Sequence, residues 1–443
     1  MDREQREDLA RRVLAFSQAD QTEVLLVDRD ASLSRFTHDA IHQNVASADL
    51  SIAVRAIAEG RTGVARTNVL DEASLRDVVA RALAIARHAP ADPEQPALPA
   101  GAPPPAPAEA FAEATARATP QLRAQICEGI FRAGEADGLW AAGYAATERG
   151  GITVANSNGA RASFDGSDAA ANVKMNGGDS SGFAEAYDTD VRRLDGTLLG
   201  AIAARKARES AHPRDVEPGP WTVILEPAAF GELFSYIADH FSALSFDEGS
   251  SFLSDGLDRT YLGENVTISD DYAQPLAPGM PFDFEGFPTK RLALVEHGVA
   301  RAIVTDSYWA HKLGRENTGH ALPAPNASGP QARNLVVSAG SKNAAQLVAE
   351  TKRGLLVTRF WYIRTVDQKK AIVTGMTRDG TFLIEDGKVT GGVRNMRFNQ
   401  SILEALRHCE FASELSRTGG YSYSIVVPAV KIENFTFSSG TGF

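Results

Sequence analysis

The alternation of apolar and polar positions divides the chain into helical and strand-like stretches. Over 227–245, PAAFGELFSYIADHFSALS, residues Phe230, Leu233, Phe234, Ile237, Phe241 and Leu244 fall at i, i+3, i+4, i+7, i+11 and i+14. This is the spacing of one apolar helix face, so the segment predicts a helix with a buried side. Residues 3–16 read as an amphipathic helix and 23–28 as a strand. Beyond them the period changes to two, most plainly in SIAVRAIA, and Glu59-Gly60 makes a turn before GVARTN, which predicts a β-meander. Residues 68–89 return to helical spacing, with Leu75, Val78, Val79, Ala82 and Ile85 on one face and Asp71 or Ser74 as the N-cap. Eight of the chain's 21 prolines then fall between 88 and 109, a composition that favours extended, exposed backbone without a core.

A second module opens with a helix over 111–136 and continues into short strands, where Asn156-Ser157-Asn158-Gly159 between two alternating runs predicts a hairpin. Residues 190–209 are again helical. From Trp221 onward the chain is strand-rich apart from 227–245 and a second helix over 344–354, with related hairpin turns at Glu296-His297-Gly298 and Glu385-Asp386-Gly387. The expected fold class is α+β: an amino-terminal antiparallel sheet with helices and a carboxy-terminal, mostly antiparallel β domain with few helices. The expected segments are 1–88, a linker at 89–110, 111–215 and 216–443.

Composition narrows the function. A chain of 443 residues exceeds one ordinary core. A formal net charge of -11 argues against phosphate-backbone binding, so nucleic acid is not an expected partner. Only Cys127 and Cys409 are present, without a CxxC, which leaves neither a disulfide framework nor a cysteine-rich metal knuckle. The amino terminus is charged from its second residue and no apolar run approaches about 18 residues, so neither a secretory signal nor a membrane span is expected and the expected location is cytoplasmic.

Several stretches, in this order, resemble the TldD/PmbA family. RFTHDAIHQNVASADLSIAVRAIAEGRTGVART resembles its first region, VANSNGARASF and GDSSGFAEAYDTDVRRLD its second, and EGFPTKRLALVEHGVARAIVTDSYWAHKLG with ENTGHA its third. The resemblance implies a two-subunit assembly. In it TldD is the zinc peptidase, TldE (also called PmbA) is the partner lacking the zinc motif, and an extended peptide lies in a cavity between them. The family's peptidase carries His-Glu-x-x-x-His on the helix that precedes GSSF. Counting back from Gly249-Ser250-Ser251 places Phe234, Ser235 and Asp239 at those three positions. Zinc needs lone pairs from imidazole, thiolate or carboxylate, and its bound water needs a base. The family's cysteine ligand is matched by SRTGGYSYSIVVP, which has no cysteine, while Cys409 lies earlier at helical spacing and reads as a small buried residue. The chain therefore resembles the TldE side: no metal or cofactor is expected here, and zinc is expected in a TldD-like partner.

The remaining candidate residues carry weaker signals. Asp239 and His240 are the weak catalytic candidates, and a solvent-facing helical pair is the plainer reading. Trp309, His311, Thr318 and His320 in SYWAHKLGRENTGHALPAP are candidates for contact with peptide or partner in a loop-like region, with a structural loop as the plainer reading. His38 and His42 read as surface residues and GDSSG as a turn. Ser180 and Ser181 have no identifiable base, without which serine is inert. The sequence thus favours a TldE/PmbA-like non-catalytic subunit of a peptide-cleaving or peptide-maturing complex, heterodimeric with a TldD-like subunit or homodimeric in its absence. A stand-alone hydrolase with a rearranged site, using Asp239, His240, His311 and His320, and a protein-binding modulator are the alternatives.

Overall fold

The computed structural model describes residues 1–419 and 424–441. The amino-terminal half is one antiparallel sheet of six strands, β1 (Gln21–Thr37), β2 (Ala40–Ala58), β3 (Arg61–Thr67), β4 (Trp140–Asn156), β5 (Arg161–Asn176) and β6 (Ser181–Asp188), in the order β3-β2-β1-β4-β5-β6. Two-residue turns with positive φ at His38-Asp39 and Glu59-Gly60 join the meander. The sequence marks a strand over 23–28 and an alternating run from Ser34. The structure joins them into one strand, because β2 and β4 flank it on both sides and take up its backbone groups.

One face of the sheet carries the helices α1 (Arg3–Leu14), α2 (Glu72–His88), α3 (Glu113–Ala116), α4 (Pro120–Glu135) and α5 (Gly196–Glu209). Asp71 caps α2 by accepting from the Ser74 amide, which decides between the two possible caps. Pro120 at the first turn of α4 separates it from α3, so the helix expected over 111–136 is divided. Two helices approach edge strands at glycine: a Cβ on Gly63 would lie 2.2 Å from the Ala82 carbonyl oxygen of α2, and one on Gly182 would lie 2.2 Å from that of Ala203 in α5. The proline segment is extended, but it is not free of the core. Leu98 is buried, its amide donates to Gln21 Oε1 at 2.8 Å, and Asn156 Nδ2 donates to the Pro99 carbonyl at 2.7 Å. It straps the sheet, while β1–β4 pairing joins the residues before and after it.

The carboxy-terminal half contains β7 (Gly219–Leu225), β8 (Ile268–Asp270), β9 (Leu292–Glu296), β10 (Val299–Ala300), β11 (Asn334–Val337), β12 (Arg353–Asp367), β13 (Ile372–Glu385), β14 (Lys388–Gly392), β15 (Met396–Ser401), β16 (Cys409–Thr418) and β17 (Ser424–Gly440). Strands β17, β15, β13, β12 and β7 close into a barrel because β7 pairs with both β12 and β17. Most pairings are antiparallel, as the pattern predicts, but β7–β12 and β11–β17 are parallel. Phe360, Phe398, Phe435 and Phe437 pack inside with ring centres 4.6–5.8 Å apart along the chain of contacts. The short helices are α6 (Pro227–Phe234), α7 (Ala243–Asp247), α8 (Ser307–Leu313), α9 (Ala344–Ala349) and α10 (Ile402–Arg407).

The single helix expected over 227–245 is not continuous. α6 gives way to a 3₁₀ stretch over Ser235–Phe241, and Ser242 is extended before α7. At that break the Val304 amide donates to the Phe241 carbonyl at 2.7 Å and the Ala243 amide donates to the Val304 carbonyl at 3.0 Å, so a neighbouring strand segment competes for the helix's own bonds. The apolar face survives: Phe230, Leu233, Phe234, Ile237 and Phe241 are fully buried, and Leu244 is half-buried. Among the described residues no helix is long and apolar enough to cross a membrane.

Candidate functional site

α6 begins at Glu226-Pro227 and packs on β12, β16 and β17. A Cβ on Gly231 would stand 2.4 Å from Thr418 Oγ1, so this glycine lets the helix lie against the end of β16. Of the glycine-rich stretch 416–428, residues 420–423 lie outside the described residues. Phe234 is sealed in the core beside the Phe230 ring at 5.7 Å, Ser235 Oγ donates to the Glu232 carbonyl at 2.7 Å, and Asp239 is exposed.

His240 is not the solvent-facing partner of Asp239 that helical spacing suggests. The 3₁₀ stretch turns it inward, where it is 1% exposed. Its Nδ1 accepts the Phe252 amide at 3.2 Å and its carbonyl accepts Ser251 Oγ at 2.8 Å, so it staples the GSSF turn. Burial lowers its pKa to about 4, so the ring is neutral at physiological pH. Because Nδ1 accepts, Nε2 carries the proton, and it has no hydrogen-bond partner among the described residues.

The 307–320 stretch is less loop-like than its sequence. Asp306 accepts the Trp309 amide at 2.8 Å and caps α8, and Gly314 in the left-handed region ends it. Trp309 is buried, with Lys312 Nζ 4.3 Å from its ring centre. His311 is exposed, and its Nε2 lies 3.7 Å from Glu94 of the proline strap. Thr318 and His320 belong to a separate buried network. Thr318 Oγ1 donates to the Thr305 carbonyl at 3.0 Å and sits 2.9 Å from His320 Nδ1, while His320 Nε2 is 3.3 Å from Asp270 Oδ1. Burial pushes the Asp270 carboxyl up, but His320 and the Asn334 donors outweigh it and hold the pKa low. The order Thr–His–Asp imitates a nucleophile, base and orienting group. All three are buried, however, and the hydroxyl proton is spent on a backbone carbonyl, so the network fastens ENTGHA in place. Asp239, His240, His311 and His320 form no single constellation among the described residues: Asp239 and His311 are exposed, His240 is buried against the GSSF turn, and His320 is buried beside Asp270.

The arrangement that sequence reasoning missed lies where the open sheet face, α6 and the barrel meet. A cleft of about 580 Å³ crosses β1, β2, β4, β5 and β6, lined among others by Arg29, Tyr144, Glu148, Asp168 and Tyr187. Small residues Ala146 and Ala170 form its floor in one cross-strand row with Leu33 and Tyr187. Arg417 of β16 makes a 2.6 Å ion pair with Asp168, both nearly buried. Burial raises Asp168 to about 6 against the opposing pull of Arg417. Tyr187 Oη donates to Glu185 at 3.3 Å, and burial raises the Glu185 carboxyl. Glu232 of α6 is raised to about 7, again chiefly by burial, with Arg359 opposing. Asp379, at φ 53, gathers Ser181 Oγ at 2.9 Å, Lys174 Nζ at 3.1 Å and Arg359 Nε at 3.0 Å. Carboxyls held near neutrality can both accept from and donate to amide groups, which suits a polar extended chain.

The family model of the PmbA/TldA metallopeptidase C-terminal domain matches residues 218–439, and that of PmbA/TldA metallopeptidase domain 1 matches 22–86. The chain belongs to the PmbA/TldD family. It is 25% identical to "Metalloprotease PmbA" of Escherichia coli O157:H7 over 53% of this chain and 50% of that one. It is 24% identical to "Metalloprotease TldD homolog" of Haemophilus influenzae over 57% and 55%. The chain spans about half the length of the curated relatives it matches. The crystal structure of TldE from Thermococcus kodakarensis shares the fold at a TM-score of 0.88 and 22% identity, over 98% of this chain and 99% of that one.

Within this PmbA/TldD chain the side chains at the end of α6 and in the 3₁₀ stretch after it do not fit zinc. Phe234 offers no lone pair, the Ser235 hydroxyl is engaged with the Glu232 carbonyl, and Asp239 stands alone in solvent. Cys409 is the first residue of a strand and half-buried, where helical spacing suggested a buried helix residue. Burial raises its thiol to about 12, and the thiol lies 3.6 Å from the Leu406 carbonyl, so it is no thiolate donor. Among the described residues no three His, Cys, Asp or Glu side chains are grouped to hold a metal ion.

Proposed function

We propose that this chain is a TldE/PmbA-like subunit, without catalytic chemistry of its own, that pairs with a TldD-like zinc peptidase in cleaving or maturing small unfolded peptides. The observation that carries the reading is Phe234: the scaffold around α6 is kept, with GSSF stapled by His240, while the first ligand position is filled by a core side chain. The chain's contribution is wall and binding surface. The cleft at Asp168, Tyr187 and Arg417 offers backbone-compatible polar groups, and an extended segment would be held through main-chain hydrogen bonds with little dependence on sequence.

The test is reconstitution with a TldD-like relative from the same organism. Peptide cleavage should appear only in the mixture, with zinc accompanying the relative. Equimolar zinc in this chain alone, or cleavage by it alone, would sink the reading.

A further inference from the structure

We propose that the outer barrel face formed by β12, β13 and β15 docks an acidic, extended segment of another protein. It shares Arg359 with the candidate cleft but does not rest on the peptidase reading. Trp361, Tyr362 and Val366 are 45%, 61% and 56% exposed, the most exposed large apolar side chains among the described residues of the barrel. Strand register places Arg359 opposite Arg378, Trp361 opposite Met376, Met376 opposite Arg397, and Arg364 opposite Thr374. Since directly opposed residues share a face, four arginines frame the two aromatic rings.

The Arg359 and Arg378 guanidinium carbons lie 5.5 and 5.3 Å from the Trp361 ring centre, and that of Arg364 lies 4.1 Å from the Tyr362 ring centre. Arg359 is neutralised by Asp379 at 3.0 Å. Arg364, Arg378 and Arg397 have no ion pair among the described residues. In a chain of formal net charge -11, three uncompensated cations on one small face mark a local reversal of sign. The backbone also presents the patch. Tyr362 sits at φ 58 in a register shift between Trp361 and Arg364, a conformation costly for a bulky residue, which turns Ile363 into the core and leaves Tyr362 outside.

Tryptophan, tyrosine and arginine are the residues that dominate protein interface energies. The unpaired guanidinium groups call for carboxylates, and Trp361 calls for an apolar side chain between them. Bases could also stack on Trp361 and the arginines, but the exposed Val366 of the same strand adds apolar contact of a kind that amino-acid side chains use and a phosphate backbone does not, so an acidic protein segment is the occupant.

The experiment measures anisotropy of dye-labelled peptides of about 12 residues with the full chain. One alternates Glu and Leu, a second has Lys in place of Glu, and a deoxythymidine oligonucleotide of similar length is the third probe. The Glu peptide should bind, and the Lys peptide should not. Binding should weaken about tenfold or more in the combined Arg364→Glu, Arg378→Glu, Arg397→Glu variant and as salt is raised. Trp361→Ala should weaken it similarly without abolishing the salt dependence. Failure of the Glu peptide to bind the wild-type chain, equal binding to wild type and to a variant with unchanged circular dichroism, or tighter binding of the oligonucleotide would each overturn the proposal. The wild-type comparisons hold even if a variant fails to fold.

Discussion

At the residue scale, His240 shows how one side chain can be read wrongly from its neighbours. Its folded-state pKa of about 4 lies below the ordinary 6.5, so the unfolded chain binds the proton more readily. The stability that neutral His240 contributes is present above about pH 6.5 and is lost as pH falls through 4. The full swing is about 3 kcal/mol at most. Urea midpoints of wild type and His240→Phe from pH 7 to 4 should therefore diverge, with the wild type declining more steeply. Parallel curves would show that the imidazole is not sealed from protons. A second prediction concerns Asp168 and Arg417, which are nearly buried together. Arg417→Met should cost about 3 kcal/mol in chemical denaturation at pH 7 by stranding the carboxylate, and Arg417→Met with Asp168→Asn should restore much of it. If the double variant is no better than the single one, the pair is not coupled in this way.

At the element scale, the two glycines under helices carry a sharper expectation than any surface residue. Gly63→Ala would drive a methyl group into the Ala82 carbonyl of α2 at 2.2 Å, where the obstacle is backbone that cannot rotate away. A loss of about 2 kcal/mol or more is expected, read as a lower thermal midpoint. Gly178→Ala, with nothing within 4 Å of the added carbon, should change stability far less. Equal effects would remove close approach as the explanation. The divided helix at 227–245 belongs to the same scale. Its apolar period was legible, because burial depends on which side a residue occupies. Its interruption was not, because the competing hydrogen bonds come from Val304.

At the scale of the whole molecule, the two halves are clasped by a buried charge cluster. Arg55 of β2 reaches Glu23 of β1 at 2.7 Å and Glu285 of the carboxy-terminal half at 3.0 Å, with Glu285 also accepting the Ser307 amide. Burial raises Glu23 to about 7 despite Arg55, and burial raises Asp306 to about 6. A carboxyl whose folded pKa is raised contributes stability that is fully present below the unfolded value of 4.5 and lost as pH rises through about 7. Glu23→Gln should therefore flatten the dependence of stability on pH between roughly 4.5 and 7, measured by urea denaturation. An unchanged slope would show that the titrating group lies elsewhere. Arg55→Met, which leaves the carboxylates unpartnered, should cost about 3–5 kcal/mol.

What the sequence determined by itself was local. Period two and period 3.6 located most strands and helices, turn residues such as Glu59-Gly60 and Asp386-Gly387 located hairpins, and the absence of imidazole at 234 and 239 was visible before any fold. These properties are set by residues within one or two turns of each other. The tertiary structure alone decided that 23–28 and the alternating run from Ser34 would form one strand, that the proline segment would strap the sheet, and that His240, Trp309, Thr318 and His320 would be buried. It alone brought Asp168 to Arg417, Glu232 to Arg359 and Arg55 to Glu285. Each of those charges is ordinary in its own stretch of chain. Its pKa, its partner and its access to solvent depend on groups far away in sequence, which only packing brings within a few ångströms.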